Sequence, residues 1–139
     1  MLKKYLALDV GDVRIGVAKS DPLGMLAIPL ETIDRRKEKP VKRIMQLCEE
    51  ENTKSIVVGI PKSLDGSEKR QAEKVRIFIH ALKSAIPGVE MWEVYERLTT
   101  VTADRILTEM NRKGALEKRK VVDKVAASLI LQQYLNMKK

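Results

Sequence analysis

The sequence predicts one α/β domain, residues 1–139, built on a mixed five-stranded sheet with helices on both faces. Three short apolar segments at the start are separated by turn residues, which indicates an antiparallel meander. After residue 40 helical and strand patterns alternate, which is typical of crossovers between parallel strands. A length of 139 residues suits one domain with its own core.

The three N-terminal strands are predicted where apolar runs stop at turn residues. They span residues 5–10, 14–18 and 25–30. Gly11 and Asp12 separate the first two strands, which can therefore form a hairpin. Pro29 lacks an amide donor, so the third strand should lie at an edge of the sheet.

The rest of the chain is predicted to alternate between helices and strands. The elements are a helix starting at Pro40, a strand at 55–60, a helix from Ser67 to Ile86, a strand at 90–95, a helix at about 103–114 and a last helix at about 122–135. The strand at 55–60 is apolar throughout, as in a parallel strand that is covered on both faces.

Composition narrows the classes of partner and of site. The 27 Lys and Arg residues exceed the 19 Asp and Glu residues, and a net charge of +8 favours an anionic partner such as nucleic acid. No apolar stretch reaches the roughly 18 residues of a spanning helix, so no membrane partner is expected. The single cysteine, Cys48, is expected to be a buried packing residue, and a single cysteine suits the reducing cytoplasm. Because His80 is the single histidine, the chain cannot form a zinc site that needs several histidine ligands.

Three acidic residues stand where a ligand would bind. Asp9 ends the first strand, Glu96 follows the fifth, and Asp123 is predicted in the first turn of the last helix. Ligands of open α/β sheets bind at the carboxyl ends of strands, and carboxylate oxygens are the ligands that Mg²⁺ and Mn²⁺ prefer. Structural roles stay open for each acid: a turn at Asp9, an ion pair between Glu96 and Arg97, and the helix dipole at Asp123.

Basic residues are concentrated in two segments. One group is Arg112, Lys113, Lys118, Arg119, Lys120 and Lys124; the other is Arg35, Arg36, Lys37, Lys39, Lys42 and Arg43. Such clusters contact phosphates without reading bases, although solvated helix faces and loops are the simpler alternative. Aromatic residues are few, so no stacking platform for single strands is predicted.

Seven short motifs occur in order along nearly the whole chain: 8–11 (LDVG), 14–18 (RIGVA), 20–22 (SDP), 57–61 (VVGIP), 64–68 (LDGSE), 96–100 (ERLTT) and 123–127 (DKVAA). Together they resemble the YqgF/RuvX family, pre-16S rRNA nucleases with a ribonuclease-H-like, Holliday-junction-resolvase-like fold. The resemblance implies that Asp9, Glu96 and Asp123 are the acidic catalytic residues. It also implies a divalent metal and a structured nucleic-acid substrate, in particular the 5′ end of precursor 16S rRNA.

Further roles follow from the same resemblance. Arg14, Arg97 and Thr99 fall in matching motifs and are expected to orient phosphate or the acids, with helix capping as the alternative for Thr99. The family commonly has Asp where this chain has Tyr95. Strand alternation places Tyr95 and Glu96 on opposite faces, so we expect the site to survive this difference.

The favoured function is therefore a metal-dependent phosphodiesterase, in which water attacks phosphorus in line and the leaving 3′-oxygen is stabilised. Two alternatives stay open: a Holliday junction resolvase acting on branched DNA, and a nonenzymatic RNA-binding factor in ribosome assembly. An actin-like ATPase is the least favoured alternative, because such enzymes clamp nucleotide between two domains and 139 residues are too few for both. The expected partners are structured nucleic acid and ribosomal particles, with a monomer or homodimer as the active form.

Overall fold

The computed structural model describes residues 3–61, 66–96 and 115–138, with the side chains of 66–68, 96 and 115–119 outside that description. These parts of the chain form five strands and three helices. They are β1 (Leu6–Val10), β2 (Arg14–Ser20), β3 (Ala27–Asp34), α1 (Pro40–Glu50), β4 (Ser55–Pro61), α2 (Gly66–Ala85), β5 (Glu90–Glu96) and α3 (Ala115–Met137).

The strands form one mixed sheet in the order β3-β2-β1-β4-β5. β1 pairs with β2 and β2 pairs with β3 in antiparallel fashion, whereas β1 pairs with β4 and β4 with β5 in parallel. The predicted mixed sheet, with three antiparallel strands followed by two parallel ones, is confirmed.

The third strand lies at an edge, as Pro29 predicted, but the strand runs from Ala27 to Asp34 rather than over residues 25–30. Asp21 explains the later start, because its Oδ1 accepts hydrogen bonds from the amides of Met25 and Leu26 and holds both in a turn. These amide hydrogen bonds also lower the pKa of Asp21.

Side chains of the sheet point alternately into two cores. The α1/α2 core contains Leu6, Leu8, Val10, Ile15, Val17, Ile33, Ile56, Val58 and Ile60 from the strands, together with residues of α1 and α2. The α3 core contains Tyr5, Ala7, Ala18, Val57 and Val94 from the sheet side and Ala127, Ile130, Leu131, Tyr134 and Leu135 from α3. Both faces are thus covered by helices, as expected for a parallel centre.

The first two helices follow their predicted patterns. Pro40 occupies the first turn of α1, where its missing amide has no partner to lose. Cys48 is buried in the α1/α2 core, and burial raises the pKa of its thiol, in agreement with a packing role. The apolar stripe that predicted α2 is buried throughout: Ala72, Val75, Ile79, Leu82 and Ile86. His80 is exposed on the same helix.

The last helix begins earlier than predicted. α3 starts at Ala115 rather than near residue 122, so Asp123 lies in the third turn and not in the first. The helix-dipole explanation for Asp123 is therefore wrong, since that effect fades beyond the first turn. The charged segment before Asp123 is helical because Leu, Glu, Lys and Arg are strong helix formers even without an apolar stripe.

Aromatic residues anchor the far end of α3 to the sheet. The rings of Tyr5, Trp92 and Tyr134 meet with centroid separations of 5.3–5.8 Å. Burial, together with the neighbouring Tyr5, raises the pKa of Tyr134 to about 12. The predicted helix at about 103–114 lies outside the described residues. Within the described residues, no helix is long and apolar enough to cross a membrane.

Candidate active site

The first acid, Asp9, lies near the carboxyl end of β1 on the face covered by α3. Its neighbours Leu8 and Val10 are buried in the α1/α2 core, and Ala7, two residues earlier, belongs to the α3 core. Alternation along the strand therefore gives Asp9 the α3 face, where it is partly exposed.

Gly16 brings the second acid to the same place. In the β1–β2 register Gly16 is the direct partner of Asp9. A Cβ atom on Gly16 would lie 1.8 Å from the backbone carbonyl oxygen of Asp123, so only glycine lets α3 approach the sheet this closely. Asp123 therefore lies beside the cross-strand neighbour of Asp9. The close backbone approach at Gly16 is therefore made by α3.

Asp123 is held by an ion pair across the molecule. Nε of Arg14 donates a hydrogen bond of 2.7 Å to Asp123 Oδ2, and the side chains are 25% and 20% exposed. Arg14 thus gives this mostly buried carboxylate a charged partner. The second carboxylate oxygen, Oδ1, receives no hydrogen bond from the described part of the chain.

For the third acid, Glu96, the structure describes the position of the backbone only. It is the last residue of β5, where it pairs with Pro61 of β4, and it has the same strand parity as Trp92 and Val94 of the α3 core. Its side chain lies outside the described set. Among the side chains that are described, no group of three His, Cys, Asp or Glu residues is close enough to hold a metal ion.

The β-hairpin next to Asp9 is fixed by Arg35 and Gln71, which no sequence motif indicates as site residues. Nη1 of Arg35 donates to the carbonyl of Gly11 at 2.8 Å, and its guanidinium lies 5.3 Å from the centre of the Phe78 ring. Nε2 of Gln71 donates to the carbonyl of Val10 at 3.1 Å. No local sequence signal links these side chains to residues 10 and 11, because the contacts span 24 and 61 residues.

The predicted nucleic-acid contacts are only partly described. Arg14, Lys120 and Lys124 are partly buried residues on β2 and α3, and the carbonyl of Lys120 accepts a hydrogen bond from Thr32 Oγ1. The backbones of Lys118 and Arg119 lie in the first turns of α3. Arg97, Thr99, Arg112 and Lys113 lie outside the described residues. Tyr95 is 52% exposed next to buried Val94, so these two side chains lie on opposite faces of β5.

Comparisons with solved structures identify the fold. A Thermus thermophilus RuvC in complex with a Holliday junction substrate matches with a TM-score of 0.63 and 15% identity, covering 99% of this chain and 97% of that chain. A fowlpox virus resolvase bound to Holliday junction DNA matches with a TM-score of 0.57 and 10% identity, over 97% and 98% of the two chains. At these identities the matches establish a shared ribonuclease-H-like fold.

Sequence comparisons establish the family. A relative from Fusobacterium nucleatum, named "Putative pre-16S rRNA nuclease", is 65% identical over 99% of this chain and 100% of its own length. A relative of the same name from Acetivibrio thermocellus is 47% identical over 97% and 96% of the two chains. The family model described as "RuvX: Holliday junction resolvase" matches residues 3–137. On this evidence the chain belongs to the RuvX family, as its motifs predicted.

Proposed function

We propose that this chain is a metal-dependent nuclease that hydrolyses phosphodiesters in structured nucleic acid, with the 5′ end of precursor 16S rRNA as the favoured substrate. The names of its relatives support the RNA substrate, and the family description supports branched DNA as the second candidate. One observation carries the proposal: the contact of α3 with Gly16 brings Asp123 beside the cross-strand partner of Asp9.

The donor set fits a hard divalent cation. Asp9 and Asp123 supply carboxylate oxygens, and Oδ1 of Asp123 accepts no hydrogen bond from the described residues. The soft and nitrogen ligands lie elsewhere: Cys48 is buried in the α1/α2 core and His80 is exposed on α2. Asp9, Glu96 and Asp123 would hold Mg²⁺ or Mn²⁺. When bound, such an ion would lower the pKa of the attacking water and offset the charge that develops at phosphorus.

The chain's own residues orient this site. Arg14 fixes the Asp123 carboxylate through Oδ2 and keeps Asp123 aligned above Gly16. Arg35 and Gln71 bind the two backbone carbonyls that follow Asp9, which limits movement of the β1 end. The remaining contacts to phosphate are proposed for the predicted cationic and hydroxyl residues: Arg97, Thr99, Arg112, Lys113, Lys118, Arg119, Lys120 and Lys124.

The proposal extends to the cellular setting. We place the activity in the cytoplasm, in keeping with a single cysteine that is a buried free thiol. Ribosomal particles that carry precursor rRNA are the proposed partners, and the active form is proposed to be a monomer or homodimer of one 139-residue domain. Sedimentation of the purified protein with and without precursor particles tests both points.

A cleavage assay with matched variants tests the activity. Purified protein is incubated with a precursor 16S rRNA fragment and with a four-way DNA junction, with and without Mn²⁺. Asp9→Asn and Glu96→Gln should abolish cleavage of the true substrate while nucleic-acid binding persists. Asp12→Asn and Glu93→Gln are the controls, because these carboxylates lie nearby in exposed ion pairs with Lys74 and Arg76.

The outcomes separate the candidate functions. Metal-dependent cleavage of the RNA, lost in the two site variants alone, supports the proposal, and the same result with the junction alone favours the resolvase. Binding without cleavage of either probe would contradict a nuclease and favour the nonenzymatic RNA-binding alternative. Cleavage that persists in both site variants would show that these acids are not catalytic.

A further inference from the structure

Three exposed lysines lie after β3 and at the start of α1, at the same end of the sheet as the candidate site: Lys37, Lys39 and Lys42, called here the lysine surface. The segment that carries them leaves β3 at Asp34, which is the direct cross-strand partner of Arg14. The amide of Arg35 donates to the carbonyl of Val13 at 2.9 Å, and the Arg35 side chain binds Gly11. The lysine surface is therefore fixed to the hairpin that follows Asp9.

The structure separates these lysines from the arginines around them. Arg36 pairs with Asp34 at 3.2 Å, and Arg43 pairs with Glu31 at 2.7 Å, which raises the pKa of Arg43. The guanidinium of Arg35 donates a hydrogen bond to the Gly11 carbonyl and lies over the Phe78 ring. The three lysine ammonium groups, in contrast, have no ion pair or hydrogen bond with the described residues. The arginines thus hold the segment in place, and the lysines remain available to an external anion.

Two of the three lysines, Lys39 and Lys42, line a cleft at the start of α1. It has a volume of about 300 Å³ and is lined by Glu38, Lys39, Lys42, Arg43 and Gln46. Lys39 is the N-cap residue of α1 and Lys42 lies in its first turn, and both line the cleft, so their ammonium groups can contact neighbouring phosphates. The first turn of α1, which is fully described, has no acidic residue, so the helix dipole adds to their charge.

We propose that the lysine surface binds the sugar–phosphate backbone of a duplex arm that extends from the scissile phosphate. This inference rests on the proposed nuclease function and adds a second contact region to it. The contact is proposed to be to phosphate and not to bases, because the surface carries ammonium groups and no aromatic residue lines the cleft. The one amide side chain in the cleft, Gln46, already accepts a hydrogen bond from Arg43 through Oε1. RNA and DNA arms share this backbone chemistry.

Two triple variants of equal net charge test the inference. Lys37→Gln, Lys39→Gln and Lys42→Gln remove the lysine surface. Lys3→Gln, Lys54→Gln and Lys83→Gln remove three charges at the opposite end of the sheet, where Lys3 pairs with Glu90 and Lys54 binds the carbonyl of Pro87. Affinities are measured in EDTA for an RNA stem-loop and a four-way DNA junction, each with long and short arms. Thermal melts confirm that both variants fold.

The first triple variant should lose the affinity advantage of the long-armed probe. At low salt its affinity should fall about tenfold or more, and the slope of log K against log salt should become less steep by about 2 to 3 units. The opposite-end variant should keep the long-arm advantage. Glu38→Gln should raise affinity, because it removes a negative charge from the cleft. If the first triple variant loses the long-arm advantage for the RNA probe, the bound arm is RNA; if it loses the advantage for the DNA junction, the bound arm is DNA.

Equal losses in the two triple variants would overturn the inference, as would a wild-type protein that binds long and short arms equally. Cleavage of the short-armed probes in Mn²⁺ tests the nuclease proposal separately from the binding of an arm by the lysine surface. If the first triple variant still cleaves short-armed probes, the nuclease proposal stands whatever the arm measurement shows.

Discussion

Arg14 and Asp123 form an ion pair that is neither fully buried nor freely solvated, with a 2.7 Å contact and at most a quarter of either side chain exposed. Removing one member of such a pair leaves the other charge poorly solvated. Arg14 is also a competitor for any cation near Asp123, because both interact with the same carboxylate. Arg14 therefore has two effects, one on stability and one on the charge available to a metal.

Arg14→Gln should separate these two effects. In EDTA the free energy of unfolding should fall by about 1–3 kcal/mol, because Asp123 loses its partner in a partly buried site. Added Mn²⁺ should then raise the melting temperature of the variant more than that of the wild type, since the competing positive charge is gone. Thermal melts with and without Mn²⁺ measure both.

The matched control is Arg76→Gln, because Arg76 pairs with Glu93 on the surface at 3.3 Å. Its cost should stay below about 1 kcal/mol, as for other exposed pairs. An equal cost for the two substitutions would contradict the structural role of Arg14. An equal Mn²⁺ response in Arg14→Gln and wild type would contradict its competition with a metal.

At the scale of elements, the position of α3 on the sheet depends on the missing side chain of Gly16. Gly16→Ala should destabilise the fold by about 3 kcal/mol or more, because the new methyl meets backbone atoms of α3 that cannot turn away. It should also reduce cleavage measured below the melting temperature, since Asp123 must move away from Asp9. The comparison is Gly88→Ala, which strains a backbone φ of +78° far from the site and should cost about 1–2 kcal/mol without loss of cleavage.

The contact of α3 with β1 and β5 should be sensitive to high pH. Burial raises the pKa of Tyr134 to about 12 from an ordinary value of 10, so the folded state keeps this proton longer than the unfolded state does. Stability should therefore be complete below pH 10 and should fall as the pH rises from about 10 to 12. Melting temperatures of wild type and Tyr134→Phe across this range measure the effect. The variant should show a shallower decline, and parallel curves would contradict it.

The elements differ in how far their sequence could predict them. β4 and α2 were predicted because an unbroken apolar run and an apolar stripe directly encode burial. The start of β3 differs from the predicted one because Met25 and Leu26 are apolar yet 50% and 62% exposed, in a turn imposed by Asp21. For the site, sequence motifs predicted Asp9 and Asp123. The ion pair between Arg14 and Asp123 could not be predicted, because it joins residues 109 positions apart and depends on how α3 packs against the sheet.

For the whole molecule, the shared central strands link the two cores. β1 sends Leu6 and Leu8 into the α1/α2 core and Ala7 into the α3 core, and β4 divides its side chains in the same way. Neither core can lose these strands without exposing apolar surface of the other. We therefore expect the chain to unfold as one cooperative unit, in line with the proposed single domain.

The chain offers one natural probe in each core. Its single tryptophan, Trp92, packs against the α3 core, and its single cysteine, Cys48, is buried in the α1/α2 core. Tryptophan fluorescence and thiol labelling, followed through the same urea series, should give coincident midpoints, because loss of the central sheet exposes both residues together. Cys48→Ala serves as the labelling blank, and its own fluorescence midpoint shows whether the thiol matters to packing. If labelling of Cys48 were complete at urea concentrations where Trp92 still reports native packing, the two cores would unfold separately and the single-domain proposal would be wrong.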